Sequence, residues 1–245
     1  MLLRRITQHV KAQNWTAVAL DFVIVVVGVF IGIQVSNWND VRQGRLSETQ
    51  YLDRFADEIE LTIAHIREER AFAKSSIQAI EDFTTQLYSS GVSGEDLVAA
   101  TNGYLTTGAF FANFRPNRTT FDDLITTGNF DIIADEAIRT GLIKLHARYD
   151  SALYIIESNI SWVQQGEDRI YYGFDAFRYD VRTQKLFEDR TQESLAEDIR
   201  DNRELLRRHA SFHYWLKDRS IELYDEVEPQ AQDVLDLINA ELEKR

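Results

Sequence analysis

A chain of 245 residues with no cysteine has no structural disulfides and no thiolate metal sites. Its net charge of −13 disfavours nucleic acid and anionic lipid surfaces as partners. With only 2 prolines and 11 glycines, few positions force a break, so long helices are expected.

Residues 1–14 read as a short basic tail, with Arg4, Arg5 and Lys11 and no acid. Residues 15–38 read as a transmembrane anchor. From Phe22 to Ile33 no side chain is charged, and from Ala17 to Val35 the only ionisable group is Asp21. A helix of about 20 apolar residues covers a hydrocarbon core of ~30 Å. Trp15 and Trp38 bracket the run as interface anchors, roughly 34 Å apart at the rise of an α-helix. After Ile33 the chain reads Gln34-Val-Ser-Asn-Trp38, without the small-residue pattern of a cleavage site, so an uncleaved anchor in a lipid bilayer is expected. The basic tail predicts a cytoplasmic N-terminus and a body on the other side of the membrane. With three cations and one acid in residues 1–38, that body carries −15.

Gly28 and Gly32 form a G-x-x-x-G pair, Ser36 continues the spacing, and Asp21 falls on nearly the same face. Small residues let a second helix approach, and a polar group can bond across the contact. This predicts helix–helix association through Asp21, Gly28, Gly32 and Ser36, in a homo-oligomer or with a partner membrane protein. The competing reading is that glycine is simply common in membrane helices.

Residues 39–245 are expected to form a helical soluble domain. Between 45 and 89 there is no glycine or proline, and Leu52, Ile59, Ile66, Ala73, Ile80 and Leu87 recur every seven residues. The stripe predicts one long helix leaving the anchor, with Gly44 as its flexible point, packed in its own bundle or in a coiled coil between copies. Ser93 then reads as the cap of a short helix running to about Thr107. Phe110, Phe111 and Phe114 lie in an irregular stretch and need cover. A short helix follows from Thr119 or Thr120 to Gly128, and Asp135 can cap the next long one. Residues 174–193 read as an ordered loop with short helical turns. The last helix begins near Ser194 or Asn202, with Pro229 expected to kink or divide it. The fold class is therefore all-α: one N-terminal transmembrane helix, then an antiparallel bundle of three long helices plus short ones.

The block from Leu20 to Asn39, with Asp21, Gly28, Gln34, Asn37 and Trp38, resembles an uncharacterised bacterial family of small, N-terminally anchored single-pass membrane proteins. Here the acid is Asp where Glu is more usual, and Gly32 replaces a small Ala-like position. The block from Arg118 to Phe130 is similar to that family's short helix ending in a Gly-Asn turn. The resemblance implies a helical body on a single anchor and brings no activity with it. With the anchor and the basic tail, the expectation is a protein of a bacterial inner membrane with its body periplasmic.

Candidate chemistry is sparse. Arg115 and Arg118 flank Pro116-Asn117, and with Asp122 and Asn129 orienting them they can receive an anion through fork-like hydrogen bonds. The alternative is that they pair with local acids and helix ends. His209 and His213 are four apart and can face one way on a helix, with Glu204, Asp218 or Glu222 as a third ligand. The motif lacks the H-E-x-x-H base and His209 lies on the apolar stripe, so packing histidines are the expectation. Adjacent acids such as Asp57/Glu58, Glu68/Glu69 and Asp122/Asp123 point apart on a helix and read as solvated faces. No catalytic residue, cofactor or metal is assigned. The expectation is a membrane-anchored scaffold or interaction module, with an anion-sensing bundle that signals through a partner as the alternative.

Overall fold

The computed structural model describes residues 15–111, 113–167, 170, 179–180, 185–186 and 190–245, with the backbone alone at 15–19, 21, 179–180 and 185–186. The basic tail, and the side chains of Trp15 and Asp21, lie outside that description. The described residues form six α-helices: α1 (Trp15–Tyr88), α2 (Gly94–Gly103), α3 (Thr119–Thr127), α4 (Glu136–Gln164), α5 (Gln192–Asp201) and α6 (Arg203–Leu242). The chain divides into two compact units, Met1–Gln50 and Tyr51–Arg245.

In the first unit, α1 carries the apolar run. It is long and apolar enough to cross a membrane, and none of its apolar window is buried. Phe22 is 69% exposed and Trp38 66%. A Cβ placed on Gly28 or Gly32 would meet nothing within 4 Å, so that face is open. The expected flexible point at Gly44 is helical like its neighbours.

In the second unit, the heptad positions of α1 are the foundation. Leu52, Ile59, Ile66, Ala73, Ile80 and Leu87 are all buried. The lower part of the stripe joins Phe114, Leu124, Ile133, the inner face of α4 (Ile138, Leu142, Leu145, Tyr149) and the end of α6 (Leu223, Val227, Val234, Ile238) in one core. The upper part, Ile80, Phe83 and Leu87, joins Leu97, Tyr104, Leu105, Leu195, Ile199, Leu206 and Ala210 in a second. Polar contacts mark the register outside these cores: Arg67 pairs with Glu228 at 2.6 Å, and the Tyr88 hydroxyl donates to Glu204 at 2.8 Å. Arg148 on α4 pairs with Glu226 on α6. Val234 approaches Gly141 so closely that an added Cβ would sit 3.2 Å from it.

Local signals explain most boundaries. Gly91 takes φ 93° after α1, and the Ser93 hydroxyl accepts from the Asp96 amide to start α2. Gly128 takes φ 70° to end α3. Asp135 accepts from the amides of Ala137 and Ile138 to start α4. The start of α3 differs from expectation. Neither Thr119 nor Thr120 caps it. The Asn117 side chain accepts from the Thr119 amide, and Glu58 of α1 accepts from the Thr120 amide at 3.0 Å. Beyond Gly103 the helix loosens into a single π turn, Tyr104–Gly108.

Three other expectations are corrected. Of the kink or division expected at Pro229, division does not occur: α6 continues to Leu242, with Val227, Ala231 and Val234 buried on either side of the proline. Phe114 is buried but Phe110 is 55% exposed, so the irregular loop hides only part of its aromatic surface. Within 174–193, Tyr179–Asp180 and Lys185–Leu186 pair as two-residue antiparallel strands, Tyr179 opposite Leu186. The rest of 174–189 lies outside the described residues.

Asp135→Ala is expected to lower unfolding stability by about 1 kcal/mol, the usual cost of losing an N-cap. Leu142→Ala, which empties a fully buried position, is expected to cost about 2–5 kcal/mol. Urea unfolding of the purified chain followed by circular dichroism measures both; an Asp135→Ala chain as stable as the native one would refute the cap assignment.

Candidate functional site

Buried faces of helices are normally apolar, and α6 departs from that rule for three turns. Between Leu206 and Ala210 of one core and Leu223 of the other, its inner face presents His209, His213, Lys217 and Ser220, all buried. An ionisable group taken out of water is costly unless it is paired. His209, His213 and Lys217 find partners on other elements, and the Ser220 hydroxyl donates to the Leu216 carbonyl of α6 itself at 2.8 Å.

The partner of the two histidines is Glu167, set just beyond the end of α4 by a turn in which its amide donates to the Gln164 carbonyl at 3.1 Å. One carboxylate oxygen, Oε1, accepts from His209 Nε2 at 2.9 Å and from His213 Nε2 at 2.8 Å. The hydroxyl of Tyr104, at the head of the π turn, is hydrogen-bonded to His209 Nδ1. Tyr104 is itself stacked on Phe83, with ring centroids 4.7 Å apart. Gly108 permits this: a Cβ there would sit 2.8 Å from the Tyr104 ring and 2.9 Å from Ile80. His213 is fully buried, Phe111 lies 5.4 Å from its ring, and its Nδ1 has no hydrogen-bond partner among the described residues.

The electrostatics follow from this geometry. Burial pushes the Glu167 carboxyl up, but the hydrogen bonds from His209 and His213 outweigh it and hold its pKa at about 2. Burial pushes the His213 imidazole below its usual range, against the pull of Glu167. At neutral pH the pair is therefore a carboxylate beside a neutral imidazole. The Lys217 ammonium donates to the Phe110 carbonyl and lies 5.0 Å from the Phe72 ring centroid. Burial lowers its pKa to about 8, with Glu69 opposing the shift.

The ligand atoms of Glu167, His209 and His213 lie within 4.8 Å of one another, so two imidazoles and a carboxylate converge on one small volume. The acid that meets the pair is Glu167, and not Glu204, Asp218 or Glu222, which the spacing alone offered as a third ligand. Glu204 is engaged by Tyr88 and Arg207, and Glu222 by Arg219. Sequence reasoning missed Glu167, Tyr104 and Lys217. The available signal was the polar sequence His209, His213, Lys217, Ser220 at helical spacing within an apolar stripe.

The other predicted sites fall elsewhere. Arg118 is occupied by Asp150 and Asp122, the local acid pairing that competes with an anion. Arg115 is exposed and donates to Asn113 at 3.1 Å. Asn129 is exposed in the turn after α3, its amide donating to the Leu124 carbonyl at 3.0 Å. On the outer face of α6, Phe212 and Trp215 set their rings edge-on to Trp162 at 5.4 and 5.5 Å. With Arg207, Arg208 and Ser211 they line a groove of about 400 Å³.

One more buried histidine carries a pH dependence. His146 stacks on Phe121 at 3.9 Å, and burial, with Arg118 nearby, lowers its pKa from 6.5 to about 4. The unfolded chain takes up this proton near pH 6.5 and the folded chain only near 4, so the contribution is complete above 6.5 and is lost as the pH falls through that window. The loss is on the order of 3 kcal/mol. His146→Phe is expected to flatten the stability profile between pH 6.5 and 4; an unchanged slope in urea unfolding across that range would refute it. No protein-family model, no curated protein and no solved structure matches this chain.

Proposed function

We propose that this protein is a single-pass membrane-anchored helical scaffold or interaction module, with the apolar segment of α1 in a bacterial inner membrane. The single observation that supports it is the exposed apolar run of α1, long enough to cross a membrane and with none of its apolar window buried. A run of that length left in water would be costly, whereas lipid covers it without further structure. The basic tail favours a cytoplasmic N-terminus and a periplasmic body. The contact pairs Arg67–Glu228 and Tyr88–Glu204, with Arg148–Glu226 and Trp162–Trp215, favour an antiparallel bundle of α1, α4 and α6. The open face of Gly28 and Gly32 favours self-association or a partner helix, to which Asp21 and Ser36 would contribute a polar edge.

Carbonate extraction of membranes is expected to leave the full chain in the pellet; recovery in the supernatant would overturn the anchor. Because the chain has no cysteine, single cysteines placed near residues 8 and 60 report topology without background. Labelling of only the second by an impermeant reagent in intact cells is expected. Gly28→Leu with Gly32→Leu is expected to abolish crosslinked dimers; an unchanged crosslinking pattern would remove the association role.

A second reading, a ligand-sensing bundle, is favoured by the outer groove rather than by Arg115, Arg118 and Asn129. Its volume lies within the usual small-molecule range, and aromatic walls with two arginines suit an aromatic or apolar anion. Such a ligand is expected to change tryptophan fluorescence and to lose that effect in Arg207→Ala/Arg208→Ala. A flat response across a panel of aromatic carboxylates at millimolar concentration would discard it.

A further inference from the structure

We propose that Glu167, His209 and His213 form a binding site for a divalent first-row transition metal ion, of which Zn²⁺ is the most suitable. The inference is independent of the membrane reading, since every ligand lies in the second unit.

The donor set is the first reason. Two imidazoles and one carboxylate suit zinc and its neighbours and do not suit calcium or magnesium, which take oxygen ligands. The placement is the second. His209 and His213, one turn apart on α6, aim their Nε2 atoms at the same carboxylate oxygen. Their separations of 2.9 and 2.8 Å from Oε1 are hydrogen-bond lengths. Tetrahedral ligands at about 2.0–2.1 Å from a zinc ion stand roughly 3.3–3.4 Å apart. Each histidine–carboxylate separation would therefore widen by about half an ångström on entry, and all three ligand atoms already lie within 4.8 Å of one another.

The surroundings are the third reason. Metal-binding histidines are oriented by a hydrogen bond at the other ring nitrogen. Tyr104 supplies this to His209 Nδ1. In the metal-bound tautomer that nitrogen carries the proton and donates it to the tyrosine oxygen. His213 Nδ1, without a hydrogen-bond partner among the described residues, would carry the proton in the metal-bound tautomer. Lys217, one turn further along α6, directs its ammonium to the Phe110 carbonyl and the Phe72 ring, with Glu69 in its field. Three protein ligands leave a fourth position for water or another group.

The test uses the full chain in detergent, stripped with a chelator. Zn²⁺ is expected to bind at one equivalent and raise the Tm, and Co²⁺ to give the intense visible absorption of a four-coordinate ion. His213→Gln and Glu167→Gln are expected to remove both signals. Tyr104→Phe, a milder change that keeps the ring stacked on Phe83, is expected to weaken Zn²⁺ affinity by about 10–100-fold while leaving the stoichiometry at one. Circular dichroism checks that each variant is folded. Absence of a stoichiometric Zn²⁺ site in the native chain by elemental analysis and calorimetry would overturn the proposal. So would undiminished binding in folded His213→Gln, which would assign the metal to surface carboxylates, or an octahedral cobalt spectrum, which would assign it to oxygen ligands.

Discussion

The apolar stripe of α1 must be covered, and the rest of the second unit is built on that requirement. A helix with one apolar face is marginal by itself in water and gains its stability from tertiary packing. Ile66, Leu52, Phe55 and Phe83 are fully buried because α4, α6 and the short helices close over them. The polar positions of α1 serve the same assembly. Glu58, Thr62 and Glu69 accept backbone amides of Thr120, Asn117 and Asn113, which fastens the irregular loop to the long helix. Such bonds satisfy backbone donors that a loop on its own would leave to water.

Against that apolar background, the layer formed by Glu167, His209, His213 and Lys217 stands out. Filling the same space with hydrophobic residues would avoid the cost of desolvating a carboxylate and an ammonium. The layer lies between two apolar cores, and it joins the turn after α4, the π turn and α6. π turns within helices recur at functional sites, where they aim a side chain that a regular helix would misdirect. Here the side chain at its head is Tyr104, the partner of His209. Perturbed ionisable groups arranged with mutual geometry are the physical mark of a site.

Much of the fold is legible from residue spacing. The stripe of α1, the Ser93 and Asp135 caps and the left-handed Gly128 are local patterns, and each sits where its spacing predicts. The failures also have physical causes. Pro229 carries a strong breaking signal, but packing on both sides outweighs the loss of one amide. Thr119 and Thr120 look like caps, yet Glu58, more than sixty residues earlier, takes that role across the helix interface. Arg115 and Arg118 are close in sequence, and their partners diverge: one guanidinium meets Asp150 and Asp122, the other Asn113.

Periodicity and turn chemistry act over a few residues, so the chain read alone yields an exposed apolar run, the long helices and most of their ends. Those features depend on backbone geometry and on which faces are apolar. The convergence of Glu167 on His209 and His213 has no such local cause. The acid lies 42 and 46 residues before the two histidines, beyond the end of a different helix. Only the packing of α4 against α6, with Val234 pressed close to Gly141 and the aromatic rings of Trp162 and Trp215 meeting further along, sets the register that brings that carboxylate to the imidazoles.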